Sequence, residues 1–366
     1  MVRGTIKHAF LGGNTPQGFY SYYRYILSQQ EAVRIISIKG GPGVGKSTFM
    51  RKIGEAMLKK GYDVEYMHCS SDNHSLDGVV IPAIKVALLD GTAPHVVDPI
   101  NPAAVDEILN LGEYWNEEGI TANKQSIVDT NAKVGKCFRR AYRYLAAAKD
   151  MYDDRYTIYK EVTNEAGVHK EAATIIENEL KSIALSDKVG KVRKLFASAI
   201  TPNGLCNELD SIFKNTTIYK IIGEAGTGTE KLIQKVLVEA IERGLDVESY
   251  YCPMQPEEKI EHILIPKIGL ALTTSNQYHD VQVPHKKSIN LGQYVDEKRL
   301  DAYKDILYYD KKMFEQLLNK AVDTIKKAKQ EHDYLETFYI PNMDFDEVQT
   351  CLKKILSRIE VYEKQL

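Results

Sequence analysis

The chain has 366 residues, 43% hydrophobic and 27% charged, with a formal net charge of −2. This length implies two or three domains, and the near-neutral balance excludes a global basic field for nucleic acid. No apolar run is long enough to span a membrane and residues 1–8 lack the apolar core of a signal peptide, so a cytoplasmic location is expected. The five cysteines, at 69, 137, 206, 252 and 351, show no C-x-x-C spacing. They read as buried reduced thiols rather than as a zinc site or a disulfide framework.

In chain order, residues 8–11 predict a short strand, residues 12–18 a turn, and the Tyr-rich stretch to about Gln30 a helix. Residues 33–39 follow as an apolar strand. Then comes Gly40-Gly41-Pro42-Gly43-Val44-Gly45-Lys46-Ser47-Thr48, which fits the phosphate-binding P-loop pattern G-x-x-x-x-G-K-[ST]. Phe49, Met50, Ile53, Met57 and Leu58 continue at helical spacing until Gly61. In this setting the backbone of residues 41–48 (Gly41, Pro42, Gly43, Val44, Gly45, Lys46, Ser47 and Thr48) is expected to cradle a nucleotide's phosphates. Lys46 would reach the β- and γ-phosphates and Ser47 would hold Mg²⁺. Residues 63–69 predict the next strand, closed by Ser70-Ser71-Asp72. After a loop, residues 84–90 form an apolar strand ending in Asp90, a Walker B pattern and a second Mg²⁺ contact. Strand signals vanish between about Val105 and Val192, where amphipathic periodicity predicts two helices, a hairpin.

The chain then starts again. Thr15-Pro16-Gln17-Gly18 recurs as Thr201-Pro202-Asn203-Gly204, and the glycine loop as Gly223-Glu224-Ala225-Gly226-Thr227-Gly228-Thr229-Glu230. Cys69 recurs as Cys252 at the same offset as the loop, His95 as His279, Asn110-Leu111-Gly112 as Asn290-Leu291-Gly292, and Thr157-Ile158-Tyr159 as Thr337-Phe338-Tyr339. Common order and near-constant spacing predict duplication of the whole unit, hairpin included. The expected organisation is an α/β P-loop NTPase fold with a mainly parallel sheet, duplicated in tandem. Residues 1–115 and 193–298 form the two cores, and residues 116–192 and 299–366 the two helical hairpins. The cores are expected to pack as an internal pseudo-dimer.

The copies differ where chemistry sits. Lys46 corresponds to Thr229, Ser47 to Glu230 and Asp90 to Thr274. A carboxylate at the mouth of an anion site repels phosphate, so one competent site per chain is expected, with the second copy a structural partner covering the first. No Glu follows Asp90. Asp72 is the candidate to orient water or accept a hydroxyl proton, and its alternative role is to cap the turn in Ser-Ser-Asp-Asn. Asp77 reads more simply as structural. His95 does too, because it persists as His279 in the copy without catalytic groups. Asn123-Lys124 lacks the Asp that would complete a guanine-specificity motif, which favours ATP over GTP.

Gly-Gly-Asn-Thr-Pro-Gln-Gly-Phe, Gly-Gly-Pro-Gly-Val-Gly-Lys-Ser-Thr, His68-Cys69-Ser70-Ser71-Asp72 and Asp90-Gly91-Thr92-Ala93-Pro94-His95 together resemble a family of duplicated P-loop proteins, found mostly in Firmicutes and labelled ATPase or nucleotide kinase-related. The resemblance spans essentially the whole chain and implies ATP binding without naming a substrate. In that family both P-loops are often intact, and this chain departs from it in the second copy. Three functions stay open: a Mg²⁺-dependent ATPase acting as a switch, with Lys46, Asp90 and Asp72 as its catalytic groups; a kinase for a small hydroxyl acceptor; and an ATP-sensing adaptor whose hairpins bind a protein.

Overall fold

The computed structural model describes residues 3–364, so the outer limits of the first and last expected segments, residues 1 and 366, lie outside it. The chain opens with β1 (Ile6–Phe10) and a small antiparallel hairpin of β2 (Gly12–Thr15) and β3 (Gly18–Ser21). Next come β4 (Arg34–Lys39), α1 (Lys46–Lys59), β5 (Val64–His68), β6 (Leu76–Ile81), β7 (Val86–Asp90) and β8 (Asp106–Asn110). Helices α2 (Glu117–Thr121), α3 (Lys124–Val162) and α4 (Glu165–Glu179) complete the first copy.

The second copy repeats this order. It comprises β9 (Val192–Leu195), β10 (Ser198–Thr201), β11 (Gly204–Asn207), α5 (Leu209–Ile212), β12 (Thr217–Ile222), α6 (Thr229–Glu242), β13 (Val247–Cys252), β14 (Gln255–Ile265), β15 (Leu270–Ser275) and β16 (Lys287–Asn290). It ends with α7 (Glu297–Asp301), α8 (Lys304–Tyr339) and α9 (Phe345–Glu363).

The strand order of the first sheet is β1-β5-β6-β7-β4-β8, and that of the second, read from its far end, is β9-β13-β14-β15-β12-β16. These are one topology built twice. Each sheet is mixed, because β6 runs antiparallel to both β5 and β7, as β14 does to β13 and β15. The other pairings in both sheets are parallel. Three expectations are corrected here. The Tyr-rich stretch to Gln30 holds only one 3₁₀ turn, Tyr23–Tyr25, after a β-hairpin. Its tyrosines pack against Phe196, Tyr251 and His95, and these contacts override any helical spacing. The segment taken as a loop before Ile84 is β6, whose Asp77 and Gly78 broke the apolar signal although every residue is buried. Strand β8 lies within the region read as purely helical, as a half-exposed edge strand next to β4.

The two sheets meet at their β1 and β9 edges. Phe10 and Phe196 exchange backbone hydrogen bonds of 2.9 and 3.0 Å in an antiparallel bridge. Around this junction lies a quartet of charges with the same two-fold character. Lys7 pairs with Glu65 at 2.5 Å and Glu248 at 2.7 Å, and Arg193 pairs with Glu65 at 2.7 Å and Glu248 at 3.2 Å. Burial alone would raise the Glu65 pKa, but Arg193 and Lys7 outweigh it and hold it at about 2.

The hairpins cross over. Helices α3 and α8 run antiparallel through the middle, burying Ala141, Leu145 and Ala148 against Phe314, Ala321 and Ile325. The small residues let the two helices approach closely. Beyond the crossing, α9 packs Val348, Leu352 and Ile355 into the core of the first copy. Helix α4 packs Val168, Ala172 and Ile175 into the core of the second. The turns are pinned reciprocally: Asn116 N donates to Asn342 O at 2.7 Å, and Asn164 N donates to Tyr294 O at 2.8 Å. Each hairpin follows its own core in sequence and serves the other in space.

Candidate functional site

Strand β4 buries Ile35, Ile36, Ser37 and Ile38 in succession, the burial of a central parallel strand. The glycine loop leaves its carboxyl end and enters α1 at Gly45. Gly43 has φ 72° and Gly45 φ 91°, left-handed backbone that glycine adopts without strain. This turn bends residues 42–48 around a concavity and into α1, whose first amides have no partner within the helix.

Lys46 folds over that concavity. Its Nζ donates to the carbonyls of Gly40 at 2.9 Å and Gly41 at 2.8 Å, and lies 3.6 Å from Asp90 Oδ2. Asp90 is delivered by register, since β7 is the parallel neighbour of β4 and Asp90 stands opposite Ile38. Its other oxygen accepts the Thr92 amide at 2.8 Å, and the Thr92 hydroxyl donates to Gly40 O at 3.0 Å. Ser47 Oγ accepts the Leu76 amide at 2.9 Å. Lys46, Ser47 and Asp90, three residues named from sequence, thus meet at one strand-to-helix turn. Pro42, Gly43, Val44, Gly45 and Thr48 line the same cavity, of about 970 Å³, while Gly41 sits under the Tyr339 ring.

Asp72 lines this cavity too, with its carboxylate engaged. Oδ1 accepts the His74 amide at 3.2 Å and Oδ2 accepts the Ser75 hydroxyl at 3.0 Å, which is the turn-capping alternative. Lys329 of α8 adds an ion pair to Asp72 at 3.4 Å. Burial works against the Lys329 charge, but the Asp333 and Asp72 carboxylates more than offset it and raise its pKa. Asp77 and His95 lie deeper in the same cavity wall, His95 stacked on Tyr23 with ring centroids 5.0 Å apart.

Reading the chain by copies missed the groups that the second copy sends to the first loop. Lys329, His332, Glu336 and Tyr339 from α8 line the cavity, joined by Phe138 and Tyr142 from α3. A Cβ placed on Gly41 would lie 2.8 Å from the Tyr339 ring, and one on Gly43 would lie 2.8 Å from Ile340. One signal was present: Thr157-Ile158-Tyr159 recurs as Thr337-Phe338-Tyr339, and each tyrosine lies at the loop of the opposite copy.

The loop at 223–228 keeps the backbone form, with φ 93° at Gly226 and 86° at Gly228. Its surroundings are filled. Tyr156 of α3 donates to Glu230 at 2.9 Å, and its carbonyl would lie 2.2 Å from a Cβ on Gly226. Arg155 donates to Glu224 at 2.9 Å, and Val168 packs over Gly228. Thr229, in the lysine slot, is buried, and Thr274, in the Asp90 slot, pairs with His279 at 2.8 Å. Family models, curated proteins and solved structures were all compared with the chain and none matches it, so its own residues carry the functional reading.

Proposed function

We propose that the loop at residues 40–48 holds the phosphates of ATP with Mg²⁺, at one competent site per chain, and that the protein is a slow Mg²⁺-dependent ATPase. One observation carries the reading: Lys46, Ser47 and Asp90 converge at a glycine turn that opens a helix and faces a cavity of about 970 Å³. Helix-terminal amides and a lysine ammonium together suit a polyphosphate. Lys46 would exchange the Gly40 and Gly41 carbonyls for phosphate oxygens. One hydroxyl and one carboxylate fit Mg²⁺, which takes few protein ligands and fills its remaining positions with water and phosphate. Mg²⁺ would supply charge neutralisation at the β- and γ-phosphates.

Transfer to a second small molecule is the alternative, favoured by one feature. The cavity is at the upper end of the usual range for small-molecule pockets, about 300–1,000 Å³. It extends past the loop to Phe138, Tyr142 and His332. Incubation with Mg-ATP, with and without a panel of hydroxyl acceptors, separates the two. Phosphate release alone supports hydrolysis, and a phosphorylated acceptor supports transfer. Calorimetry is expected to give one nucleotide per chain, and two would overturn the single-site reading.

A further inference from the structure

Behind the loop, three side chains of the type that bind transition metals converge. Cys69 follows β5, Asp77 is the second residue of its antiparallel neighbour β6, and His95 lies in the loop after β7. Their ligand atoms all lie within 4.8 Å of one another, with His95 Nε2 3.8 Å from Asp77 Oδ1. Asp77 is 3% exposed and Cys69 and His95 each 8%, yet Asp77 Oδ2 and His95 Nδ1 have no hydrogen-bond partner. Among the described residues, His95 is the only basic side chain within ion-pair distance of Asp77. A buried carboxylate without a cation is strongly disfavoured.

The second copy also gathers Glu261, His262 and His279 within 4.8 Å of one another, but gives its buried carboxylate a cation from its own chain. Cys252, Glu261 and His279 occupy the equivalent places, but Lys259 Nζ lies 3.2 Å from Glu261 and donates to Tyr152 OH at 3.0 Å. The position of Lys259 in the first copy is Ser75, and that of Tyr152 is His332. The first copy therefore keeps the Cys, carboxylate and His and lacks the internal ammonium.

We propose that Cys69, Asp77 and His95 bind a divalent transition metal of the zinc class, as a three-ligand site whose fourth position opens onto the cavity beside Lys46 and Asp90. A mixed sulfur, nitrogen and oxygen donor set suits Zn²⁺ and disfavours Mg²⁺. Tetrahedral binding places ligand atoms roughly 3.4–3.7 Å apart, so closing on an ion takes side-chain shifts of about 1 Å. The open position marks a Lewis-acid site rather than a sealed structural one. A cysteine nucleophile activated by His95 is the competing use of these residues. Cys69 is buried, whereas a reactive thiol sits partly exposed in an electropositive setting, and a metal ion would hold this sulfur as the thiolate.

The test uses Co²⁺ as a spectroscopic probe on the full-length protein. One Co²⁺ per chain is expected, with an intense thiolate-to-cobalt charge-transfer band. The band disappears in Cys69→Ser, and His95→Gln weakens Co²⁺ binding by at least about tenfold. Cys252→Ser and Lys46→Ala keep the band in full, so its appearance does not depend on nucleotide binding. Circular dichroism confirms that each variant is folded. Absence of stoichiometric Co²⁺ binding, a band that survives Cys69→Ser, or a band lost equally in Cys252→Ser would overturn the proposal.

Discussion

The loops at 40–45 and 223–228 share left-handed backbone at their last two glycines and differ in what leans on them. Beside the first, the α8 and α9 hairpin leaves about 970 Å³ of space lined by lysine, histidine and carboxylate groups. Beside the second, Tyr156, Arg155 and Val168 of the α3 and α4 hairpin sit on the loop itself. Each loop is roofed by the hairpin of the other copy, so a change in either copy's hairpin acts on its partner's site. The comparison teaches that the second loop is closed twice over. It carries Thr229, Glu230 and Thr274 where the first has Lys46, Ser47 and Asp90, and the other hairpin occupies the space over it.

The largest effect expected is from Lys46→Ala. It should weaken nucleotide binding about 10–100-fold, the loss of charge-assisted hydrogen bonds to phosphate, whereas Thr229→Ala should leave it unchanged. Calorimetry reads both, and equal losses would break the asymmetry between the loops.

The junction that holds the copies together comes next. Arg193→Met leaves Glu65 and Glu248 short of a partner. It should cost about 3 kcal/mol, the low end for a broken buried pair, because the Arg193 side chain keeps 23% of its surface exposed. The same quartet sets an acid limit. Glu65 is held at about 2 in the folded protein against an ordinary 4.5, so its contribution is fully present above pH 4.5 and is lost as pH falls from there towards 2. Thermal melts across that window should show the loss, and Glu65→Gln should make the slope shallower.

A smaller effect separates the two roofs. Gly43→Ala and Gly226→Ala both force a side chain into left-handed backbone, at about 1 kcal/mol. In the first, the new methyl meets the Ile340 side chain, which can turn away; in the second it meets the Tyr156 carbonyl on a helix, which cannot. Gly226→Ala should therefore lower the melting temperature more than Gly43→Ala, and the reverse order would mean that the second roof is the looser one. The smallest effect is a null. Restoring lysine and serine with Thr229→Lys and Glu230→Ser should not add a second nucleotide by calorimetry, because Tyr156 and Arg155 still fill the loop's surroundings. A second nucleotide would show that chemistry alone had silenced it.

Local pattern made part of this molecule legible. The strand at 34–39, the helix at 46–59 and the loop between them follow from β-branched burial, helical spacing and glycine placement within a few residues of one another. Repetition of short landmarks exposed the two copies because their order and spacing persist where composition drifts. Strand β6 was hidden because it combines Asp77 and Gly78 with apolar residues in a fully buried strand, and the Tyr-rich stretch misled because its periodicity serves contacts with Phe196 and Tyr251 far along the chain.

What the sequence determined by itself was the pair of glycine loops and the asymmetry between them, since Lys46, Ser47 and Asp90 against Thr229, Glu230 and Thr274 are visible without coordinates. Only the tertiary structure decided that each hairpin crosses to the other copy and that Cys69, Asp77 and His95 share one pocket wall. The physical reason is range. Caps, glycine turns and helical periodicity act over a few residues, whereas the crossing depends on apolar faces more than a hundred residues apart finding each other, as α9 does on the core around α1.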